Sequence, residues 1–509
     1  MARLFSDAWQ VVIGIETHVQ LKCRQKLFSR ATNGLLSDSP NSRYNVFDAA
    51  FPGTLPKLNP KCVDLAVRAA LALNCNLKPR SNFDRKHYFY PDQPVGYQIT
   101  QYYSPFALDG TLTLPKLGRR VRIKQIQLEQ DTGKSVFDYK TQSTLVDLNR
   151  AGAGLIEIVT EPDLRSTEEA AEYVRSLQTL LRSMGVSDGN MEAGSLRCDI
   201  NVSLNRHGEP LGTRCEIKNI NSVRFMVAGI QHEIERQKSI LCAPSPMQVS
   251  QETRGFDEHR WETYTIRSKE DAPDYRYMPD PNLGTLTLDE NTIEHVRNRL
   301  PPTPEATRNR LINTYGPRGV SEDSIDVLMG LDSSLDVPFD GGTISNHESH
   351  STNSVAYFDT LCKGRDPREV INWITQTLLG LLSTMGKSFS TSYLATSQMG
   401  TLIDLVSNGE MTRSSGRLLL RHILLHSPSP DTSIRRLAKD LDLISIGPTD
   451  HADEICRRAI EALPSEVAAI RSGNKNVLNR LIGWVVRETK GKADVQKTRS
   501  RLEDLISKM

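Results

Sequence analysis

The sequence predicts an α+β fold, in which a domain built on an antiparallel sheet comes first and the rest of the chain is all-α. In the segment Leu196–Leu204, apolar residues alternate without exception with polar ones such as Arg197 and Asp199. A period of two is typical of a strand whose two faces differ, as in antiparallel sheets. The composition changes after Pro281, and helical spacing of apolar residues continues from there.

Two helices are predicted within the first part of the chain. Ser166, with Glu169 three residues later, forms a capping-box pattern, and Gly185 ends the helical spacing that follows. A second helix is predicted from about Val223 to Ile240. Together with the alternating strands, these helices predict that residues 10 to about 285 are α+β.

Helices dominate the remainder, with one irregular interruption. Helical spacing covers Pro367 to about Met385 and resumes near Thr396, whereas Ser333–Asn353 is rich in Ser, Asp, His, Gly and Asn. That composition predicts a surface insertion or mobile loop. We place domain boundaries near residues 290 and 392, which gives the domains 1–290, 291–391 and 392–509.

Length and composition limit the possible classes of protein. A chain of 509 residues is long enough for two to four domains, and its net charge of +2 neither demands nor excludes a nucleic acid. No apolar run approaches the roughly 20 residues that span a bilayer, so we expect no membrane segment. The eight cysteines include no Cys-x-x-Cys pair, which favours free buried thiols and gives structural zinc no support.

Three predicted strands carry chemically active residues on their polar faces. The strand Val11–Gln20 places Glu16 beside His18, Leu196–Leu204 carries Asp199, and Cys215–Ile220 carries Glu216. Carboxylates on adjacent strands suit Mg²⁺, which takes oxygen ligands and leaves positions for phosphates. We therefore predict a metal site formed by Glu16, His18, Asp199 and Glu216. The alternative is a solvated sheet face, although Asp and Asn are depleted in strands.

Further residues could complete a phosphate site. Glu129 and Asp131 share a face just before a glycine turn, and Arg197 and Lys218 could face phosphate oxygens. The segment Thr132–Ser135 resembles the end of a P-loop. Leu128 stands where that motif requires its first glycine, so we reject a P-loop.

Two aromatic segments combine rings with cations. Asn82–Asp92 contains Arg85 and Lys86 among four aromatic residues, and a later segment contains Arg267, Tyr275 and Arg276. Such segments could stack a nucleobase while the cations hold phosphate. They could equally be aromatic loops that close the core.

The C-terminal tail is basic. Arg487, Lys490 and Lys492 gather around Gly491, which indicates either contact with a nucleic-acid backbone or a solvated helix end. Elsewhere we find no Gly-x-Ser-x-Gly elbow and no amidase signature. If the reaction uses a nitrogen donor, another polypeptide is expected to prepare it.

Taken together, these residues resemble the B subunit of the glutamyl-tRNA(Gln) (aspartyl/glutamyl-tRNA) amidotransferase. The resemblance is dense from about residue 10 to 285, faint through the middle helices, and returns at Leu481–Ala493. Its ordered motifs are Val12–Leu21, Phe83–Asp92, Leu148–Gly152, Glu157–Asp163, Gly185–Glu192, Gly194–Asp199, Gln251–Arg254 and Asp274–Tyr277.

The resemblance implies a cradle domain, a helical linker domain and a helical tail domain. It implies that Mg-ATP phosphorylates the side chain of Glu-tRNA(Gln) and that ammonia then displaces the phosphate to give Gln-tRNA(Gln). Ammonia would come from the amidase (A-type) partner of the complex, and a small C-type partner or its fungal equivalent would complete it. The implied catalytic residues are Glu16, His18, Glu129, Asp199 and Glu216, and the implied tRNA contacts are Arg487, Lys490 and Lys492.

The sequence departs from this family in three places. Gln130 replaces a second Glu at a position associated with the mouth of the ammonia channel, and Gly154 replaces a usual proline. The Cys pairs of zinc-binding members, near Asn45–Pro52, are missing. The diverged helical half resembles fungal organellar members, which favours the mitochondrial matrix, although the ten residues before the first strand are too short for a targeting peptide. A prokaryotic source would instead place it in the cytoplasm.

Two other functions compete with membership of a tRNA-dependent amidotransferase. One is a non-catalytic tRNA-binding scaffold of such a complex. The other is a free-standing metal-dependent hydrolase, which predicts turnover by the isolated chain.

Overall fold

The chain forms two compact units. The computed structural model describes residues 9–34, 38–244, 247–268, 270, 274–334, 336–341, 353–389, 394–426, 429, 432–445, 450–472, 474–489 and 491–508. The first unit holds the described residues up to Thr307 together with residues 336–341, and the second holds the others. Most of the predicted insertion Ser333–Asn353 lies outside the described residues.

The first unit is built on strands. The strands of the described residues are β1 Trp9–Gln20, β2 Asn76–Leu77, β3 Arg80–Ser81, β4 Asp84–His87, β5 Tyr97–Thr100, β6 Ala107–Leu114, β7 Arg119–Gln130, β8 Lys134–Asp138, β9 Ser143–Asp147, β10 Gly154–Thr160, β11 Leu196–Arg206, β12 Cys215–Ile220, β13 Glu252–Asp257, β14 Glu262–Ser268, β15 Met278–Pro279 and β16 Leu286–Thr287. The three strands predicted to carry site residues are β1, β11 and β12.

Nine strands form one sheet, in the order β14-β13-β12-β11-β1-β10-β7-β6-β2. Its neighbouring strands are antiparallel, except for the parallel pair β12 and β13. Smaller sheets have the orders β15-β4-β5, β16-β3 and β8-β9. This arrangement confirms the predicted α+β fold with an antiparallel sheet.

Helices cover one face of the large sheet. They are α1 Pro60–Ala72, α2 Thr167–Ser183, α3 Val223–Leu241 and α4 Glu290–Arg297. Ser166 caps α2 by accepting the Glu169 N–H, as predicted, while the Glu169 carboxylate accepts the N–H of Arg165. The apolar residues of β11 share one buried core with the apolar residues of α1, α2 and α3. The polar side chains of the central strands are therefore left on the opposite face.

The second unit is helical. Its helices, the first of which begins within the first unit, are α5 Pro304–Tyr315, α6 Glu322–Gly330, α7 Ser354–Leu361, α8 Pro367–Asn372, α9 Leu379–Thr384, α10 Thr396–Ser407, α11 Arg413–His426, α12 Ile434–Asp440, α13 Asp450–Ala462, α14 Pro464–Arg471, α15 Leu478–Glu488 and α16 Val495–Ser507. A π-helical segment, Trp373–Leu378, joins α8 to α9, so the helix predicted from Pro367 is continuous.

Two hydrophobic clusters lie in this second unit. One gathers side chains between Leu311 and Ala438, and the other gathers side chains between Ile455 and Ile506. The division into three domains at 290 and 392 stays a prediction. No helix among the described residues is both long and apolar enough to cross a membrane.

A short segment from the helical part of the sequence belongs to the first unit. The backbone N–H of Asp340 donates to Lys22 O at 2.8 Å, and the Asp340 carboxylate accepts the N–H of Arg24 at 3.0 Å. The buried Arg68 side chain donates to Gly341 O at 2.9 Å. The first unit is therefore discontinuous in sequence.

A buried ion pair fixes the loop after β1. Lys26 Nζ lies 3.2 Å from Asp48 Oδ2, and the two side chains are 0% and 1% exposed. Asp48 also accepts hydrogen bonds from Ser29 and from the Asn45 backbone, while Lys26 donates to Leu148 O. Burial lowers the pKa of Lys26, and the Asp48 charge opposes that effect. Removing either charge would leave the other buried without its partner.

We predict that Asp48→Asn lowers the free energy of unfolding of the first unit by about 3 kcal/mol, because the Lys26 ammonium then stays buried without a counterion. Urea-induced unfolding followed by circular dichroism measures this change. Asp274→Asn, which breaks the exposed pair with Arg276 in the same unit, is the matched control and should cost less than about 1 kcal/mol. Equal effects of the two substitutions would contradict the prediction.

Candidate functional site

The polar face of the large sheet brings together residues from distant parts of the sequence. Strand β1 lies between β10 and β11, so that Glu16 is opposite Asp199, and His18 is opposite Arg197 on one side and Glu157 on the other. Strand β12 pairs next to β11 and places Glu216 opposite Asn201. This register gathers all five predicted catalytic residues around one face, with Glu129 contributed by β7.

One cluster of carboxylates consists of Glu16, Asp199 and Glu216. Each offers an oxygen atom within 4.8 Å of the others. Lys218 Nζ lies 2.7 Å from Asp199 Oδ2 and 3.2 Å from Glu216 Oε1, and Asn201 donates to Glu16. Burial raises the pKa of Glu16, and the charges of Glu157, Asp199 and Glu216 raise it further.

A second cluster consists of His18, Glu129 and Glu157. His18 Nε2 lies 3.5 Å from Glu129 Oε2 and 3.8 Å from Glu157 Oε2. Lys86 Nζ lies 3.8 Å from the other Glu129 oxygen, Oε1. Burial raises the pKa of both Glu129 and Glu157, in Glu157 with the help of the Glu129 charge. Burial lowers the pKa of Lys86, but Glu129, Tyr277 and Glu157 together outweigh burial, so that this pKa is also raised.

The two clusters fit divalent cations. Glu129 is 1% exposed, and its Oε2 atom has no hydrogen-bond partner among the described residues. A buried carboxylate oxygen without a donor is costly unless a cation binds it. Carboxylate oxygens are the ligands that Mg²⁺ prefers, and an imidazole nitrogen suits several transition metals. The structure thus divides the predicted ligand set, with His18 in one cluster and Glu16, Asp199 and Glu216 in the other.

Glu157 is the site residue that the sequence pattern did not reveal. It is the one acidic residue of the apolar strand β10, which reads Gly-Leu-Ile-Glu-Ile-Val-Thr, and Gln127 donates to it at 2.7 Å. A lone carboxylate within such a strand is the feature of the sequence that could point to a site residue. It places Glu157 at this site only if β10 is known to pair with β1.

Arg197 and Gln130 lie near the end of β7. Arg197 pairs with Asp131 at 2.9 Å, and Arg150 approaches the same carboxylate at 3.6 Å. Gln130 is buried, and its Oε1 atom has no hydrogen-bond partner within the described part of the chain. These contacts leave the channel-mouth role of Gln130 and the phosphate-binding role of Arg197 as predictions.

The other predicted substrate-binding residues differ from one another in their contacts and exposure. Arg85 pairs with the buried Asp280 at 2.7 Å and lies over the Tyr97 ring, so its guanidinium is engaged within the fold. Lys86 lies over the Tyr275 ring, 4.8 Å from its centroid. Arg267 contacts Thr253. Arg276 has a side chain that is 83% exposed.

The predicted tRNA-binding residues lie in the second unit. Arg487 is exposed on α15. Lys492 forms an ion pair with Asp442, whose side chain is 86% exposed. Lys490 lies outside the described residues. Nucleic-acid contact by this tail stays a prediction.

Comparisons with known proteins match most of the chain. The GatB/GatE catalytic domain family matches residues 11–294, and the GatB domain family matches residues 356–506. The B subunit of the mitochondrial glutamyl-tRNA(Gln) amidotransferase from Laccaria bicolor is 52% identical over 98% of this chain and 92% of the relative. The mitochondrial protein of the same name from Danio rerio is 39% identical over 97% and 89%. The B subunit of the aspartyl/glutamyl-tRNA(Asn/Gln) amidotransferase from Granulibacter bethesdensis is 38% identical over 96% and 96%.

We predict that Mg²⁺ stabilises the protein against heat and that the increase in Tm is larger at pH 8 than at pH 5. A raised carboxyl pKa means that the folded state holds protons more readily than the unfolded chain. The stability contributed by these groups is therefore present below their ordinary pKa of 4.5 and is lost as the pH rises through the folded values. A cation competes with those protons and restores stability at high pH.

Glu157→Gln should raise Tm in the absence of divalent cations by about 2 °C, because one like charge is removed from the face, and should reduce the increase caused by Mg²⁺. Differential scanning fluorimetry with and without EDTA measures both quantities. Glu209→Gln, at an exposed position, is the control. If Mg²⁺ raised the Tm of Glu157→Gln as much as that of the original protein, Glu157 would not be a ligand of the cation.

Proposed function

Because this chain belongs to the GatB family of amidotransferase B subunits, we propose that its carboxylate face activates a glutamyl carboxylate for reaction with ammonia. The chain is one component of the tRNA-dependent amidotransferase that converts Glu-tRNA(Gln) to Gln-tRNA(Gln), and it acts within a complex. ATP, Mg²⁺ and the residue roles below are our proposal. The observation that supports it is the strand register, which brings two clusters of carboxylates to one face, each beside a lysine.

The chemical problem is that a carboxylate is a poor acyl donor for ammonia. Transfer of the γ-phosphoryl group of ATP to the glutamyl side chain gives an acyl phosphate, and ammonia then displaces phosphate to form the amide. In phosphoryl transfer a protein acts mainly by positioning the reactants and neutralising charge. A rigid sheet that carries opposed charges supports both tasks.

The residues of the face divide these tasks. Glu16, Asp199, Glu216, His18, Glu129 and Glu157 would hold Mg²⁺, which when bound neutralises phosphate charge and orients the γ-phosphate. Lys86 and Lys218 have raised pKa values, since nearby carboxylates outweigh burial, and they stay protonated at neutral pH. Both ammonium groups therefore supply positive charge to phosphate oxygens that enter the face. Arg197 and Arg267 border the same face and would contribute further.

We also propose the partners and the compartment. Ammonia would be released by the amidase (A-type) partner, and a small C-type partner or its fungal equivalent would complete the complex. Relatives from three fungi and a fish carry mitochondrial names, which supports a mitochondrial protein. The matrix, where organellar translation takes place, is the proposed site of action.

Asp199→Asn tests the catalytic proposal against the scaffold alternative. Asn replaces a charged cation ligand and loses the ionic contact with Lys218, so we expect ATP-dependent amide formation on Glu-tRNA(Gln) by the purified complex to fall by about 100-fold or more. Affinity for tRNA should stay within about twofold. Asp109→Asn, at an exposed position on β6, is the matched control. Full amide formation by Asp199→Asn would favour a non-catalytic scaffold.

The proposed tRNA contact of the tail has a separate test. Arg487→Ala combined with Lys492→Ala should weaken tRNA binding and lower the slope of log K against log salt by about one to two, because fewer counterions are released. Filter binding of tRNA at several salt concentrations measures the slope. Arg435→Ala, which removes an ion-paired cation outside the tail, is the control. An unchanged slope would identify the tail as a solvated helix end.

A further inference from the structure

One motif of the sequence, Gln251–Arg254, lies beside the cluster formed by Glu16, Asp199 and Glu216. Its last three residues begin β13, which pairs in parallel with β12, and in this register Thr253 is opposite Glu216. The Thr253 hydroxyl donates to Glu216 Oε2 at 3.1 Å. An uncharged side chain thus contacts one carboxylate of the proposed cation site.

A third residue sets the direction of this hydrogen bond. Arg267, which is opposite Thr253 in the pairing of β13 with β14, donates from Nε to Thr253 Oγ1 at 3.5 Å. A guanidinium can only donate, whereas a hydroxyl has one hydrogen to donate and two lone pairs that accept. Because the Thr253 hydroxyl accepts from Arg267, its own hydrogen is directed to the Glu216 carboxylate.

The Glu216 carboxylate is held at both of its oxygen atoms. Lys218 Nζ lies 3.2 Å from Oε1, and the Thr253 hydroxyl donates to Oε2. The two contacts limit the orientations of a side chain that is otherwise flexible. Each carboxylate oxygen has two lone pairs, so the group can accept these hydrogen bonds and still bind a cation.

The two contacts respond differently to a cation. Lys218 Nζ also lies 2.7 Å from Asp199 Oδ2, so its positive charge is placed among the carboxylates that would bind the cation. A divalent cation in the cluster would repel this ammonium group. Thr253 carries no charge and can keep its hydrogen bond while a cation binds. It is therefore the contact that can hold Glu216 both with and without the cation.

The next residue along β13 anchors the strand on its other face. Arg254 Nε lies 3.3 Å from Glu233 Oε2 on α3, and the two side chains are 8% and 0% exposed. Arg254 also donates to Thr263 Oγ1 at 3.0 Å. Successive residues of a strand point to opposite faces, so Arg254 fixes β13 to α3 while Thr253 faces the carboxylates. The Thr253 hydroxyl is thus presented by a well-supported strand.

We propose that Thr253 is a positioning residue for the cation site, whose hydroxyl, oriented by Arg267, holds the Glu216 carboxylate ready to bind a divalent cation. Hydrogen bonds to carboxylates that bind metals commonly orient them, and the loss of one such partner weakens metal affinity by roughly 10- to 100-fold. The inference rests on the proposed function, because it takes Glu216 as a cation ligand.

The test measures binding of Mn²⁺, which accepts the same oxygen ligands as Mg²⁺, to the purified complex after treatment with EDTA. Electron paramagnetic resonance reports the free Mn²⁺ during the titration. The face carries two clusters, and Glu216→Gln identifies the bound ion that belongs to this one. Thr253→Val keeps the shape of the side chain without its hydroxyl and should weaken binding of that ion by about tenfold. Thr253→Ser restores the hydroxyl and should bind it within about twofold of the original protein.

Thr265→Val is the matched control. Thr265 Oγ1 accepts from Arg254 and donates to Glu252, both at 2.8 Å, so it belongs to a similar group of Arg, Thr and Glu outside the cluster. The substitution removes a hydroxyl from the neighbouring strand β14 and should leave the affinity for Mn²⁺ unchanged. Its Tm shows how much stability is lost with such a hydroxyl.

Three results would contradict the proposal. The first is an unchanged affinity for Mn²⁺ in Thr253→Val when Glu216→Gln binds the ion more weakly. The second is an affinity of Thr253→Ser as low as that of Thr253→Val, and the third is an equal loss in Thr265→Val, which would indicate a general effect on the sheet edge. If Glu216→Gln itself bound Mn²⁺ normally, the proposed cation site would be wrong instead.

Discussion

Repulsion among buried and half-buried carboxylates is the constraint on which the first unit depends. Glu16, Glu129, Glu157, Asp199 and Glu216 meet on one sheet face, and burial raises the pKa of the first three. Such a group of like charges is unfavourable in a medium of low polarity. It persists because a large core on the other face of the sheet stabilises the strands. The energy gained from apolar burial on one face thus allows an electrostatically strained arrangement on the other.

The sequence predicted the faces of the strands but not their partners. The period of two in Leu196–Leu204 assigns each side chain to a face, and the structure buries Leu196, Cys198 and Ile200 as expected. Pairing between β1 and β10 joins residues more than a hundred positions apart, and no local pattern encodes that register. For this reason the sequence pattern does not identify Glu157 as a site residue. For the same reason, the sequence predicts a single metal site from Glu16, His18, Asp199 and Glu216, whereas in the structure His18 lies in a separate cluster.

The contacts of long, flexible side chains are harder to predict from the sequence than the positions of carboxylates on strands. Lys218 lies on the predicted face, yet its ammonium contacts Asp199 and Glu216. Arg85 was predicted from its aromatic surroundings and is engaged by Asp280. A charged group at the end of a flexible side chain pairs with an opposite charge nearby. Which opposite charge is nearby depends on the tertiary structure. The aromatic residues around Lys86 were recognised as a group because their chemistry, unlike their contacts, is visible in the sequence.

The discontinuity of the first unit has a consequence for how the protein is made. Synthesis proceeds from the N-terminus, and domains commonly fold as they emerge from the ribosome. Here Lys22, Arg24 and Arg68 receive their contacts from Asp340 and Gly341, more than 270 residues later for Arg68. The sheet can form early, but the unit is completed only after the first helices of the following part have been translated. The first unit therefore gains its last contacts only when translation has passed Gly341.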